Sequence, residues 1–307
     1  MCGKSKKCCC GVVHVEKILC IGKYLVSLTL ILLIGIQTYY HDAQAAALLP
    51  DKGFLLLGWI FTHAAAFALH VPPYRLALKQ ARPRPEKSVN VDRDIWTVIH
   101  FALTPDYFWA TYNKNRIAVR TGGSQRSRSE FVEYSNWINF TFAAVIYLVL
   151  TVVDPLLFPP QSAASGGVLV LQSFLLIRLL SRCLEMTIAF YRDVATNARN
   201  VRNSNLSKYR RISLAVHSYF ELIVAYAVSY YVLDFPLNFA DKPDFTPGLL
   251  DSLYYSLGVV TFTNVNIDGF NNLQQLIVYS QVITAQVLIG LSIASYIGWE
   301  DEKDQEE

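Results

Sequence analysis

The side chains of this chain best placed to handle an ion lie in one short run, Leu250 to Phe270, reading LDSLYYSLGVVTFTNVNIDGF. Thr261, Thr263, Asn264, Asn266 and Asp268 follow an amphipathic, aromatic-bearing segment (Leu253, Tyr254, Tyr255, Ser256) and precede a long apolar segment from Leu273 to Gly298. Non-helical backbone is tolerated at membrane depth only where protein buries it or a water-filled path runs beside it. A Thr/Asn/Asp loop between two apolar segments therefore points to a permeation pathway. No other chemistry competes with it. The six histidines are scattered, and His63, His70 and His217 are expected to be hydrogen-bonded helix residues because no second ligand follows at metal-binding spacing. No nucleotide-binding glycine loop and no nucleophile or acid/base constellation is present, so neither a cofactor nor an enzyme is expected.

The elements that position this run are apolar helices. With 53% hydrophobic residues and 17% charged residues over 307 positions, the composition suits a small polytopic membrane protein. Ile18–Tyr40, Phe54–Val71, Trp137–Phe158, Ile212–Leu233 and Leu273–Gly298 approach or exceed the roughly 20 helical residues needed to cross a bilayer. A sixth block, Gly167–Leu184, is shorter and carries Arg178, which can snorkel only near the interface. Lys and Arg collect in cytoplasmic loops, and the six-helix count puts Lys4 to Lys17, Arg75 to Arg128 and Arg182 to Arg211 on one side. Dropping the fourth helix would split the last two groups across the membrane. The fold class expected is an all-α membrane protein of six transmembrane helices, with both termini cytoplasmic and a cell-membrane location. The net charge of +3 reports sidedness, and no nucleic-acid partner is expected. A cleaved signal peptide ending near Ala43-Gln44-Ala45 is the competing reading of the first apolar block; it leaves the remaining topology unchanged.

The connections divide the chain further. Residues 1–23 form a Cys/Lys tail in which Cys2, Cys8, Cys9 and Cys10 beside Lys4, Lys6 and Lys7 are candidates for S-acylation, against the alternative of unmodified thiols. Within the four-helix region 24–181, residues 72–130 form a long cytoplasmic loop. Its aromatic middle, Ile95–Tyr112, suits either a short helix at headgroup level or packing against the bundle. The run Gly122–Arg128 reads as a flexible basic loop, solvated or phosphate-accepting. Residues 182–211 carry Leu184, Ile188, Tyr191 and Val194 at helical spacing, a linker helix placed to pull on a pore. The fourth helix has only Arg178 and Arg182, at its cytoplasmic end, so no voltage sensor is expected. An acidic tail, 300–307, is too short for a ligand-sensing module.

Glu221 lies ten residues into the fifth helix, about 15 Å of rise from Arg211 and near the bilayer midplane. It is read either as a proton-sensitive contact behind the pore or as a hydrogen-bonded acid that fixes helix packing. Beyond that helix, Asp241 and Asp244 sit in a proline-rich outer segment that would concentrate cations, and Pro247-Gly248 starts a short helix, Leu249 to Val260.

Residues 212–299 resemble the pore domain of the two-transmembrane-plus-pore-loop potassium channel superfamily, whose members carry a D-x-LYFS-like pore helix followed by T-x-T-T-V-G-Y-G-D. Here the letters are Thr261-Phe262-Thr263-Asn264-Val265-Asn266-Ile267-Asp268-Gly269; Thr261, Thr263 and Val265 match. The resemblance implies a re-entrant pore helix and loop between the fifth and sixth helices, and a homotetramer in the lipid bilayer. It also implies an ion-pathway filter at Thr263, Asn264, Val265, Asn266, Ile267 and Asp268, with Gly290 as a gating hinge. Asn and Asp tolerate left-handed backbone angles best after Gly, so Asn266 and Asp268 are expected to replace the family's filter glycines. In a four-fold assembly Asp268 would form a carboxylate ring, which favours cations while separating K⁺ from Na⁺ poorly. The expectation is a weakly selective cation channel, the permeating ion being K⁺ or Na⁺. The alternative is a non-conducting membrane scaffold or regulatory subunit.

Overall fold

The computed structural model describes residues 52–80, 95–157, 166–197, 206, 208–235, 237 and 248–297. Among these there are eight helices and no strand: α1 (Lys52–Gln80), α2 (Ile95–Leu103), α3 (Pro105–Thr121), α4 (Gln125–Leu157), α5 (Gly166–Asn197), α6 (Lys208–Val232), α7 (Leu249–Val260) and α8 (Asn272–Ile297). Four of them contain segments long and apolar enough to cross a membrane, Gly53–Lys79, Gln125–Val152, Tyr209–Val232 and Asn272–Gly290, which makes the chain a multi-pass membrane protein. These four overlap the expected second, third, fifth and sixth spans. The expected fourth span, Gly167–Leu184, lies within α5, which is not among these four. The expected first span, Cys2, Cys8, Cys9, Cys10, Asp241, Asp244 and the acidic tail lie outside the described residues.

The described residues fall into two compact units. In the first, Phe270–Leu276, Asn271 and Gln274 cap each other: the Asn271 N–H donates to Gln274 Oε1 at 3.1 Å and the Gln274 N–H to Asn271 Oδ1 at 2.9 Å. Two donors at the start of α8 are thus satisfied reciprocally.

In the second unit α1 packs on α3, α4 and α5, and α4 packs also on α6, which carries α7. Leu150, Leu175, Val228, Val232 and Leu249 form a core joining α4 to α7. At the other end Tyr74, Ala77, Ile117 and Phe131 form a second cluster. That cluster explains a departure from the sequence reading. A Pro-Pro pair removes two backbone donors and crowds the preceding turn, so the span was expected to end at Val71. Instead α1 runs through Pro72 and Pro73 to Gln80, because Tyr74 and Ala77 are buried against α3 and α4.

The region 72–130 is accordingly helical over most of its described length. Ile95–Tyr112 is split by Thr104 into α2 and α3, and α3 is packed on α5. The run Gly122–Arg128 is a loop only over its first three residues. Gly122 takes the left-handed conformation that ends α3, with φ of 66°. Ser124 then accepts the Ser127 N–H at 3.4 Å, and α4 begins at Gln125 with Ser127 buried rather than solvated. The linker expected at 182–211 is, as far as Asn197, a continuation of the same helix that carries Arg178.

Helices α1 and α5 approach closely at Gly58, where an added Cβ would stand 2.7 Å from both the carbonyl carbon and Cβ of Ser173. Gly58→Ala is expected to force the helices apart and to cost about 1–3 kcal/mol, read as a fall in Tm in detergent. Gly53→Ala, whose Cβ would meet nothing within 4 Å, is the control and should leave Tm within error.

Candidate functional site

Helix α7 begins with the Gly248 N–H donating to Asp251 Oδ2 at 2.8 Å, a carboxylate at the positive end of the helix. Polar side chains from α6 and α8 then hold it. Ser256 Oγ donates to Ile223 O at 2.7 Å, Tyr219 OH donates to Val260 O at 3.0 Å, and Gln281 Nε2 donates to Ser256 O at 3.1 Å and to its Oγ at 2.8 Å. Tyr230 OH donates to Gln281 Oε1, and Ser256 and Gln281 are fully buried. Each bond replaces one that water would otherwise make, and water is scarce between apolar helices.

The end of α7 sets the course of the loop. The Phe262 N–H donates to Val259 O and the Thr263 N–H to Gly258 O, with Phe262 left-handed at φ of 59°. This is a Schellman cap with phenylalanine in the place usually held by glycine. Gly258 is required beneath it, since a Cβ there would lie 2.9 Å from Cβ of Asn264.

Past the cap, Tyr255 OH donates to the Asn266 carbonyl at 2.6 Å, and Asn266 Oδ1 accepts the Asp268 N–H at 2.9 Å. The second bond is an Asx turn. The expectation that Asn266 and Asp268 would adopt glycine-like angles is therefore corrected: the left-handed residues are Phe262 and Gly269. Asn266 uses its side chain as a local acceptor for the backbone instead. Thr261 and Thr263 share a hydroxyl contact of 2.9 Å. Thr263, Asn264, Val265, Asn266 and Asp268 are all exposed on the single chain, whereas Ile267 is half-buried. One face of α7 (Leu250, Tyr254, Leu257) and one face of α8 (Tyr279, Ile283, Ile293) are exposed as well. Gly290 lies within the unbroken α8, where an added Cβ would meet nothing within 4 Å.

Glu221 belongs to a second cluster. It is 3% exposed and is held in bidentate fashion by Arg182, with Nε to Oε1 at 2.6 Å and Nη2 to Oε2 at 2.8 Å. Arg182 Nη1 also donates to Glu185 Oε2. Four residues earlier, Arg178 does not snorkel. Its Nη1 donates to Asp106 Oδ1 at 2.7 Å and its Nη2 to Asn139 Oδ1 at 2.9 Å, and Ser181 Oγ donates to the other Asp106 oxygen at 2.8 Å. Asp106 is fully buried and comes from the segment read as an intracellular loop. Of the histidines, His70 and His217 contact the carbonyls of Ala66 and Ser213 through Nδ1, as expected of helix residues, whereas neither ring nitrogen of His63 makes a hydrogen bond and its ring packs against Trp59 and Phe101. The described residues hold no group of side chains suited to a metal ion.

Sequence reasoning singled out Glu221, the two arginines and the loop, but not Gln281, which supports α7, nor Asp106, which pairs with Arg178. Gln281, a lone amide in an apolar helix, and Asp106 beside an aromatic run were the available signals. No family model, curated protein or solved structure matches the chain.

Two outcomes are expected. Arg182→Gln and Glu221→Gln should each lower stability by about 3–5 kcal/mol. The double variant should lose clearly less than the sum, by about 0.5–3 kcal/mol, in a detergent unfolding cycle. Phe262→Gly should raise stability by about 1 kcal/mol, because a β-carbon in the left-handed region is relieved.

Proposed function

We propose that the chain is a cation channel of the potassium-channel type, weakly selective or non-selective for K⁺, without a voltage sensor and working as a homotetramer. The observation that carries this reading is the exposed polar loop 261–269 at the end of a short helix, with an apolar span on either side. Lipid offers such a loop no hydrogen bonds, so its exposed groups must meet water or other copies of the chain. A single copy supplies one helix and one loop; a closed path needs several. The exposed faces of α7 and α8 are then covered by neighbouring copies, and the whole chain is a six-helix protein with α5 as its fourth span.

Poor K⁺ selectivity follows from how the loop is tied. The Asn266 carbonyl is engaged by Tyr255 and cannot also face an ion as freely as an unbonded carbonyl would. Cation preference then rests on Asp268, whose residue is exposed. Arg178 and Arg182 are neutralised by buried carboxylates, which supports a channel that does not open steeply with voltage. The same Tyr255 bond also favours the second reading, a non-conducting membrane scaffold, because it closes an acceptor that a permeating ion would use.

Single-channel recording of the reconstituted protein separates these readings. Comparable currents in K⁺ and Na⁺ are expected. Asp268→Asn should lower unitary conductance, more so at low salt, where carboxylates concentrate cations most. Absence of current in K⁺, Na⁺ and Ca²⁺ alike would leave the scaffold.

A further inference from the structure

The charges around Arg182 do not balance. Two buried carboxylates, Glu185 and Glu221, share one guanidinium, and the neighbouring pair, Arg178 with Asp106, is already neutral. Each of these residues is less than a tenth exposed, so an uncompensated charge among them is costly. One further group reaches the site. His70 of α1 is fully buried, and its Nδ1 lies 2.6 Å from the Ala66 carbonyl, an acceptor that fixes Nδ1 as the protonated nitrogen. Its Nε2 makes no hydrogen bond and lies 3.9 Å from Glu185 Oε1.

We propose that His70 and Glu185 form a proton-binding site that links α1 to the joint between α5 and α6. The ligand is one proton from water, taken up on the free lone pair of Nε2. With that proton the imidazolium compensates Glu185 and leaves Arg182 to Glu221. Without it two carboxylates draw on a single guanidinium, and the grip of α5 on α6 is divided.

Among the described residues, the other charges near the site are each already engaged. From α3 comes Asp106, held by Arg178 and Ser181; Arg116 and Arg120 of the same helix lie over the Tyr74 ring, a turn away from His70. From α4 come the Phe131 ring, 6.1 Å from the imidazole, and beside it Glu130, engaged by Arg126. From α5 come Arg178, Arg182 and Glu185, and from α6 Glu221. The site makes no use of ion conduction and stands whether or not the chain carries current.

The test is a titration of the full chain, labelled with ¹⁵N-histidine, in nanodiscs between about pH 5 and about pH 9, the window in which histidine charge changes. One ring resonance, absent from His70→Gln, is expected to titrate. In Glu185→Gln that ring should bind its proton about ten-fold more weakly, whereas Glu133→Gln, on a partly exposed residue paired with Arg210, should leave it unmoved. A His70 ring that does not titrate, or that titrates identically without Glu185, overturns the proposal. Infrared difference spectra of the unsubstituted chain give a second reading should a variant fail to fold. Imidazolium bands without a carboxylic acid band are expected to grow as the pH falls, and a growing carboxylic acid band in their place would put the proton elsewhere and overturn the assignment.

Discussion

Two arginines one turn apart on α5, Arg178 and Arg182, dictate much of how the helices around them stand. A buried guanidinium is tolerated only with a carboxylate in good geometry and its remaining protons satisfied; otherwise the desolvation cost exceeds what packing returns. Arg178 therefore requires Asp106 and Asn139, and Arg182 requires Glu221 and Glu185. These partners sit on α3, α4, α6 and α5 itself. One face of one helix thus fixes three neighbours. Apolar contacts such as those of Leu150, Leu175 and Val228 slide at little cost, whereas a bidentate pair tolerates only one register.

The same requirement explains why α3 lies in the bundle. By composition it is a mixed helix with Lys114, Arg116 and Arg120, and nothing in its pattern demands burial on both sides. Asp106 supplies the reason. Its carboxylate takes Arg178 and Ser181, and its backbone N–H donates to Ser181 Oγ at 3.2 Å, so the first turn of α3 is anchored to the middle of α5. At its far end Ile117 completes the cluster with Tyr74 and Phe131 that carries α1 beyond its Pro-Pro pair. One buried carboxylate and one apolar cluster together turn a connecting segment into part of the scaffold.

Much of this architecture was legible in the sequence, and the reasons for the rest are specific. Long apolar helices announce themselves by composition, and the short helix Leu249–Val260 was readable to its last residue because Pro247-Gly248 and a Thr-rich segment bracket it. Arg178 was visible as an anomaly, but its partner lies 72 residues away in the chain, and periodicity within a helix carries no record of what stands opposite. The path of the loop was misjudged for a local reason. Asn266 was credited with its tolerance of left-handed angles, yet the same side chain can accept a hydrogen bond from the backbone two residues on, and that alternative wins. The left-handed position fell to Phe262 because the helix cap, and not residue preference, decides where the chain must reverse.

Helix α6 brings the buried charges and the loop into one mechanical unit. Tyr219 and Ile223 are four residues apart and so share a face, and both hold α7, at Val260 and Ser256. Glu221 lies between them in sequence and points about 200° around the helix from each, towards Arg182. A rotation or shift of α6 at Glu221 therefore displaces both attachments of α7 within a single turn. A second link runs parallel to the first. Cys183, next to Arg182, contacts Tyr226 OH at 3.3 Å, and Tyr226 reaches Ser280 of α8 at 2.7 Å. Neighbouring residues of α5 thus touch α6 on the side away from the loop and, through Tyr226, touch the helix that follows the loop. The charge state around Arg182 thus bears on both supports of the loop at once, through Glu221 on α6 and, one residue along α5, through Cys183 and Tyr226 to α8.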